Sequence, residues 1–177
     1  PSRALLGLGG GCWGWVGWLG GGCGYQGFPR FNKSRLVWPW APAATLGMMV
    51  IGIVLRSVCQ PFVTSAAWAV APAITGSILE TAAIGLFAVV IFRTWRQSRQ
   101  DRTATDYYIL AAIGWFAVQS VYGAGYFWIT ARAGSREELL GYVATWQPAL
   151  RDMEIHGFVL LMILGMSQRL FPIFYGN

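Results

Sequence analysis

Charge is the scarcest commodity in this chain of 177 residues. Only 11% are Asp, Glu, Lys or Arg, with seven acids in all, against roughly a quarter in an ordinary globular domain. That is too little polar surface for a water-soluble fold. A single histidine excludes a bis-imidazole or three-histidine metal centre built by this chain alone. The three cysteines, Cys12, Cys23 and Cys59, form no CxxC pair and no zinc spacing, and an odd number argues against a disulfide framework. A Cys12–Cys23 pairing is the one conceivable bridge. Period-two alternation over strand length is absent, which argues against a β-barrel. There is no Walker loop, no dinucleotide fingerprint after a strand and no GxSxG elbow.

What is present is apolar. Hydrophobic residues make up 55% and aromatics 15%, including ten Trp and ten Phe, which excludes a disordered chain. The net charge of +6 comes from arginines scattered singly between apolar runs, with one lysine. No basic tract with interleaved aromatics is available to grip a polynucleotide, so nucleic acid is excluded as a partner.

The fold class expected is all-α: a polytopic transmembrane helical bundle with at least four spanning helices. The chain begins at Pro1 and ends at Asn177 beside an apolar run, and we read it as a fragment of a longer protein. Residues 1–35 form a Gly/Trp-rich segment left unassigned. It is charge-free from Ala4 to Pro29, yet eleven of its first 27 residues are Gly, each costing up to about 1 kcal/mol in a helix. Residues 36–177 form the transmembrane domain, with helices expected near 37–55, 66–92, 107–131 and 148–171. At 1.5 Å per residue each covers a hydrocarbon core about 30 Å thick.

The loops give an orientation. Arg30, Lys33 and Arg35 precede the first helix, and Arg93, Arg96, Arg99 and Arg102 follow the second. The two regions must share a side, and the excess of Arg assigns that side, including the 93–106 loop, to the cytoplasm. The opposite side carries the turn after Arg56 and a loop in which Glu137, Glu138, Asp152 and Glu154 balance Arg132, Arg136 and Arg151. Ser135–Glu138 reads as a capping box that starts a short interfacial helix. We expect an integral protein of the bacterial inner membrane, in contact with the lipid bilayer and with missing helices of the same chain or another subunit. Trp38, Trp40, Trp95, Tyr107, Tyr108, Trp128 and Trp146 fall near helix ends, where rings favour the headgroup layer.

Four residues stand out chemically. Glu80 is near the middle of the second helix, where a carboxyl is expensive and therefore marks either a proton relay or helix–helix glue. Gln119 lies at the same depth on the third helix, so a Glu80–Gln119 hydrogen bond is geometrically allowed if the faces meet. His156, two turns into the fourth helix, has the chemistry to ligate haem iron or copper, to bond a neighbouring helix or to transfer a proton. Gly157 beside it leaves room for a flat ligand or a close helix. Arg169, about 220° around from His156 on an ideal helix, is placed to snorkel or to pair with an anionic group such as a haem propionate. Met48, Met49, Met162 and Met166 are read as packing.

The run Asp152–Gly176, DMEIHGFVLLMILGMSQRLFPIFYG, carries a His followed by an apolar run, an Ile-Leu-Gly step, an S-x-R and then a Pro. In those features, at His156, Gly157, Ile163–Gly165, Ser167, Arg169 and Pro172, it resembles a helix of the NnrS-like membrane proteins, distant relatives of haem–copper oxidase subunit I. The resemblance implies a many-helix protein that binds haem, and copper as well, and is linked to nitric-oxide response. It makes His156 an axial haem or metal ligand and Arg169 a structural or propionate-pairing residue. With no second histidine in the chain, further ligands are expected from missing helices or another subunit. The rival expectation is a cofactor-free transporter or structural subunit in which Glu80 and Gln119 are the intramembrane polar contacts. Residues alone leave the choice of enzyme or non-enzyme open.

Overall fold

The computed structural model describes Tyr25 and residues 35–59, 62–63, 66–98 and 101–176. The readings made for Cys12, Cys23, Arg30, Lys33 and Arg99 lie outside the described residues. Among the described residues, five α-helices run in order between 35 and 176: α1 Ala41–Cys59, α2 Val70–Gln97, α3 Ala104–Thr130, α4 Arg136–Asp152 and α5 Leu161–Tyr175. Between α4 and α5 the backbone continues without a break through a π-helical stretch, Met153–Leu160. There are therefore four rods, and each is long and apolar enough to cross a bilayer. The fold is all-α, and the chain is an integral membrane protein.

The helix ends differ from the sequence expectation for identifiable reasons. Helix α1 starts at Ala41 with Pro42 in its first turn, where a missing N–H costs nothing. It runs past Arg56 to Cys59, because the guanidinium does not turn out to water but is bonded inside the bundle. Helix α3 starts at Ala104 rather than Tyr107. The Thr103 N–H and hydroxyl both donate to Asp106 Oδ2, at 3.0 Å each, and cap its first turn. The expected short interfacial helix is real but not separate. It is α4, and it passes through Pro148 and the π-helical stretch into the apolar helix. Pro148 takes one rung out of the backbone ladder, and the wider winding follows within a turn.

The Ser135 hydroxyl accepts the Glu138 N–H at 3.1 Å, as the capping motif requires. The returning bond is displaced by one residue: Glu138 Oε2 accepts from the Gly134 N–H at 2.9 Å. Tyr142 adds a hydroxyl donor to the same carboxylate at 2.8 Å. These donors, in the charged turn ahead of the apolar stretch, hold the Glu138 carboxyl below its ordinary range, the Tyr142 hydroxyl contributing most. The same bond pushes the Tyr142 hydroxyl up.

The rods pack in chain order. Helix α1 lies on α2, α2 on α3, and α3 on the whole α4–π–α5 rod. The core follows these seams in three clusters. Phe87 and Ile91 of α2 meet Ile109 and Ile113 of α3, with Tyr25 edge-on to Phe87 at 5.0 Å. Ile84, Ala112, Phe116 and Phe158 form the second, with the Phe116 and Phe158 rings stacked at 4.6 Å. Cys59, Ala69, Ala73 and Phe127 form the third. Met162 and Met166 pack against the first cluster, as the packing role assigned to them requires. Large apolar side chains such as Ile51, Val54, Ile78, Val121, Ile163 and Phe174 face outward. In water that would be ruinous; against acyl chains it is the expected solvent-facing surface.

Candidate functional site

The closest approach between helices is at α1 and α2. A Cβ placed on Gly52 would lie 2.8 Å from the Gly76 carbonyl oxygen, and one on Gly76 would lie 2.7 Å from that of Gly52. The two backbones touch because neither residue carries a side chain, the usual device where lipid offers no hydrophobic drive for helix association. Ala69, at the cap of α2, and Ala73, Gly76 and Ser77 within it make the facing stripe small, and all four are buried.

Arg56 and Glu80 flank this contact on opposite sides, Glu80 against Gly52 and Arg56 against Gly76, and across it Arg56 Nη1 donates to Glu80 Oε2 at 2.8 Å. Both side chains are largely buried, 21% and 15% exposed. Arg56 Cζ also lies 5.7 Å from the ring centroid of Phe127, so the guanidinium touches α1, α2 and α3 at once. Its Nε is buried without a partner. The Glu80–Gln119 hydrogen bond that the shared depth allows is not formed: Glu80 is taken by Arg56, and Gln119 makes no bond to it. The sequence alone marks Arg56 only as the residue that ends the first helix. The available signal was the spacing of small residues 69, 73, 76 and 77 leading to Glu80, which marks the face of α2 that another helix covers.

Gln119 is the most buried polar side chain near this level, 1% exposed, and its Oε1 has no hydrogen-bond donor. Across the next seam, Gly123 lies beside Leu150 and Trp115 lies against Gly157. Residue 119, a turn from each of 115 and 123, is therefore level with residue 154, a turn from each of 150 and 157. Glu154 is buried there. The sequence reading counted Glu154 among the charges of an outer loop; instead it is a helical residue turned into the bundle. On the other side, the pairings of Ile84 with Phe116 and of Ala73 with Phe127 bring Gln119 opposite the Glu80 turn. Arg56, Glu80, Gln119 and Glu154, one from each rod, thus form a polar layer across the bundle.

His156 lies apart from this layer. Its side chain is 65% exposed on the outer face of the π-helical stretch, with Nδ1 2.7 Å from Asp152 Oδ1. The room beside Gly157 is used by a close helix: a Cβ there would lie 3.0 Å from Cγ of Trp115. Arg169 is half-buried, thirteen residues further along the same rod. Among the described residues no group of three or more His, Cys, Asp and Glu side chains is gathered to hold a metal ion.

The fold and this layer define the class, a polytopic helical membrane protein with charge buried between its spans. The particular family is not given by likeness: no family model, no curated protein and no solved structure matches the chain.

Proposed function

We propose that the chain is a membrane transport subunit in which the Arg56–Glu80 pair and the level Gln119 and Glu154 are the intramembrane polar contacts that carry function. The observation that bears this reading is the 2.8 Å Arg56–Glu80 bond inside spanning helices, where ionisable residues are expensive and typically mark ion or proton pathways. An unpaired amide oxygen on Gln119 at the same level extends the polar track across α3. The cytoplasmic assignment of the 93–106 loop, the bacterial inner membrane and further helices or subunits around the exposed faces belong to the same proposal.

The test is ion and proton flux into proteoliposomes. Arg56→Gln combined with Glu80→Gln removes both charges together and leaves no uncompensated ion. A transport role predicts flux for the wild-type chain and its loss in the double variant while both remain folded. Absence of flux in the wild type, or flux unchanged in the double variant, would leave the pair a helix tie.

A second reading has its own support. Asp152 against Nδ1 of His156 is the carboxylate–imidazole arrangement that orients histidine ligands and leaves Nε2 as the outward donor. By this reading, and in line with the NnrS-like resemblance, His156 is one axial ligand of a haem, or of copper, completed by a neighbouring helix or subunit. Arg169 would then serve a propionate. A reduced-minus-oxidised visible spectrum of the purified protein beside its His156→Ala variant decides it. A haem band that shifts or vanishes in the variant supports ligation; no band in either sinks it.

A further inference from the structure

The end of the bundle that carries the 93–106 loop holds an aromatic ladder with guanidinium groups laid on it. Phe92 and Trp95 of α2 have ring centroids 5.8 Å apart, and Trp95 and Tyr107 of α3 are 5.9 Å apart. Arg96 Cζ lies 5.9 Å from the Phe92 centroid and Arg102 Cζ 4.9 Å from that of Trp95. Both arginines are exposed, as are the Phe92 and Tyr107 rings. No carboxylate among the described residues forms a salt bridge with either. Of the two acids in the loop, Asp101 is exposed and bridged to neither arginine, and Asp106 is 2% exposed and turned inward to cap α3. A guanidinium over a ring, with no carboxylate paired to it, keeps N–H donors for a bidentate acceptor, and phosphate is an acceptor whose geometry it matches.

Position selects the source of that phosphate. The ladder closes the ends of two membrane-spanning helices, so its rings are at headgroup depth and its apolar faces continue into the acyl layer. We propose that Arg96 and Arg102, with Phe92, Trp95 and Tyr107, form a binding site for the phosphate of an anionic phospholipid. Arg93 is the internal comparison. It is equally exposed and rests on Trp38 at 5.1 Å, on the α1 side of α2 and off the ladder. Simple attraction of basic residues to an anionic surface would use Arg93 as well as the other two; a built site would not.

The experiment measures the thermal midpoint of the detergent-purified chain on adding dioleoylphosphatidylglycerol or dioleoylphosphatidylcholine, for wild type, Arg93→Gln, and Arg96→Gln with Arg102→Gln. The expected result is a rise in midpoint with phosphatidylglycerol only. Wild type and Arg93→Gln should keep it, and the double variant should lose it. Inorganic phosphate should not reproduce it, and about 0.5 M salt should weaken it. Equal response to both lipids, retention by the double variant, equal loss in Arg93→Gln, or the same rise with inorganic phosphate would each overturn the proposal.

Discussion

At the residue scale the decisive fact is that Arg56 and Glu80 neutralise each other between helices. A buried pair of this kind adds little net stability, since desolvation of both ions offsets most of their attraction. Breaking it is another matter. Glu80→Ala leaves a guanidinium with a buried Nε and no counter-ion, and is expected to destabilise the fold by about 3–5 kcal/mol, with Arg56→Ala of the same sign. Replacing both by Met should cost far less than either single change. Unfolding of the three variants in mixed micelles checks the non-additivity; single variants as stable as wild type would show that the pair carries no charge coupling. Glu80 was legible in the sequence as an anomaly, because an acid amid apolar residues stands out. Its partner was not. Arg56 lies three residues from the end of α1, and only the inward bend of its side chain, which no linear pattern encodes, separates a buried cation from a snorkelling one.

At the element scale, the α1–α2 seam depends on two glycines. Ala at Gly52 or Gly76 sets a methyl against the opposing backbone oxygen, and backbone cannot yield as a flexible side chain does. Each is expected to cost about 1–3 kcal/mol. Gly47, on the same helix with nothing within 4 Å, should accept Ala without loss; because Ala is the better helix former, a loss at Gly47 as large as at the other two would show that the close contact is not its cause. The four spans were legible because length and apolarity alone demand them. Their joints were not: α4 reads as a separate interfacial helix because Pro148 interrupts the pattern, whereas the backbone crosses it with a local change of winding. The start of α4 also titrates. The Glu138 carboxyl is held below its ordinary value by folding, so its bonds contribute fully above the unfolded value and are lost as pH falls through the lowered folded one. The protection of the Gly134 amide, taken relative to its intrinsic exchange rate at each pH, should therefore fall on acidification into that range, and Glu138→Gln should abolish the dependence.

For the whole molecule, the distribution of charge and the packing agree on one point: which ends lie together. The Val37 N–H reaches Thr94 Oγ1 at 3.5 Å, and Arg93 rests on Trp38, so the start of α1 and the end of α2 are at one end of the bundle. Helix α3 leaves from that end and returns its C-terminus to the other, where Arg132 lies 4.0 Å over Trp128. The arrangement is fixed by packing and owes nothing to the membrane; the proposed sidedness rests on the arginines and owes nothing to packing. The two can therefore be tested separately. In a chain with Cys12 and Cys23 replaced by Ser, cysteines placed at Ser98 and Gly134 should be labelled by an impermeant maleimide from opposite faces of the membrane, with Cys59 buried and silent. Labelling of both from one face would break the bundle order itself. Opposite faces with Ser98→Cys reached from outside would keep the bundle and invert it, carrying the basic aromatic ladder to the outer leaflet. Reaction of Ser98→Cys only from the cytoplasm would put that ladder against the inner leaflet, where anionic headgroups are available to it.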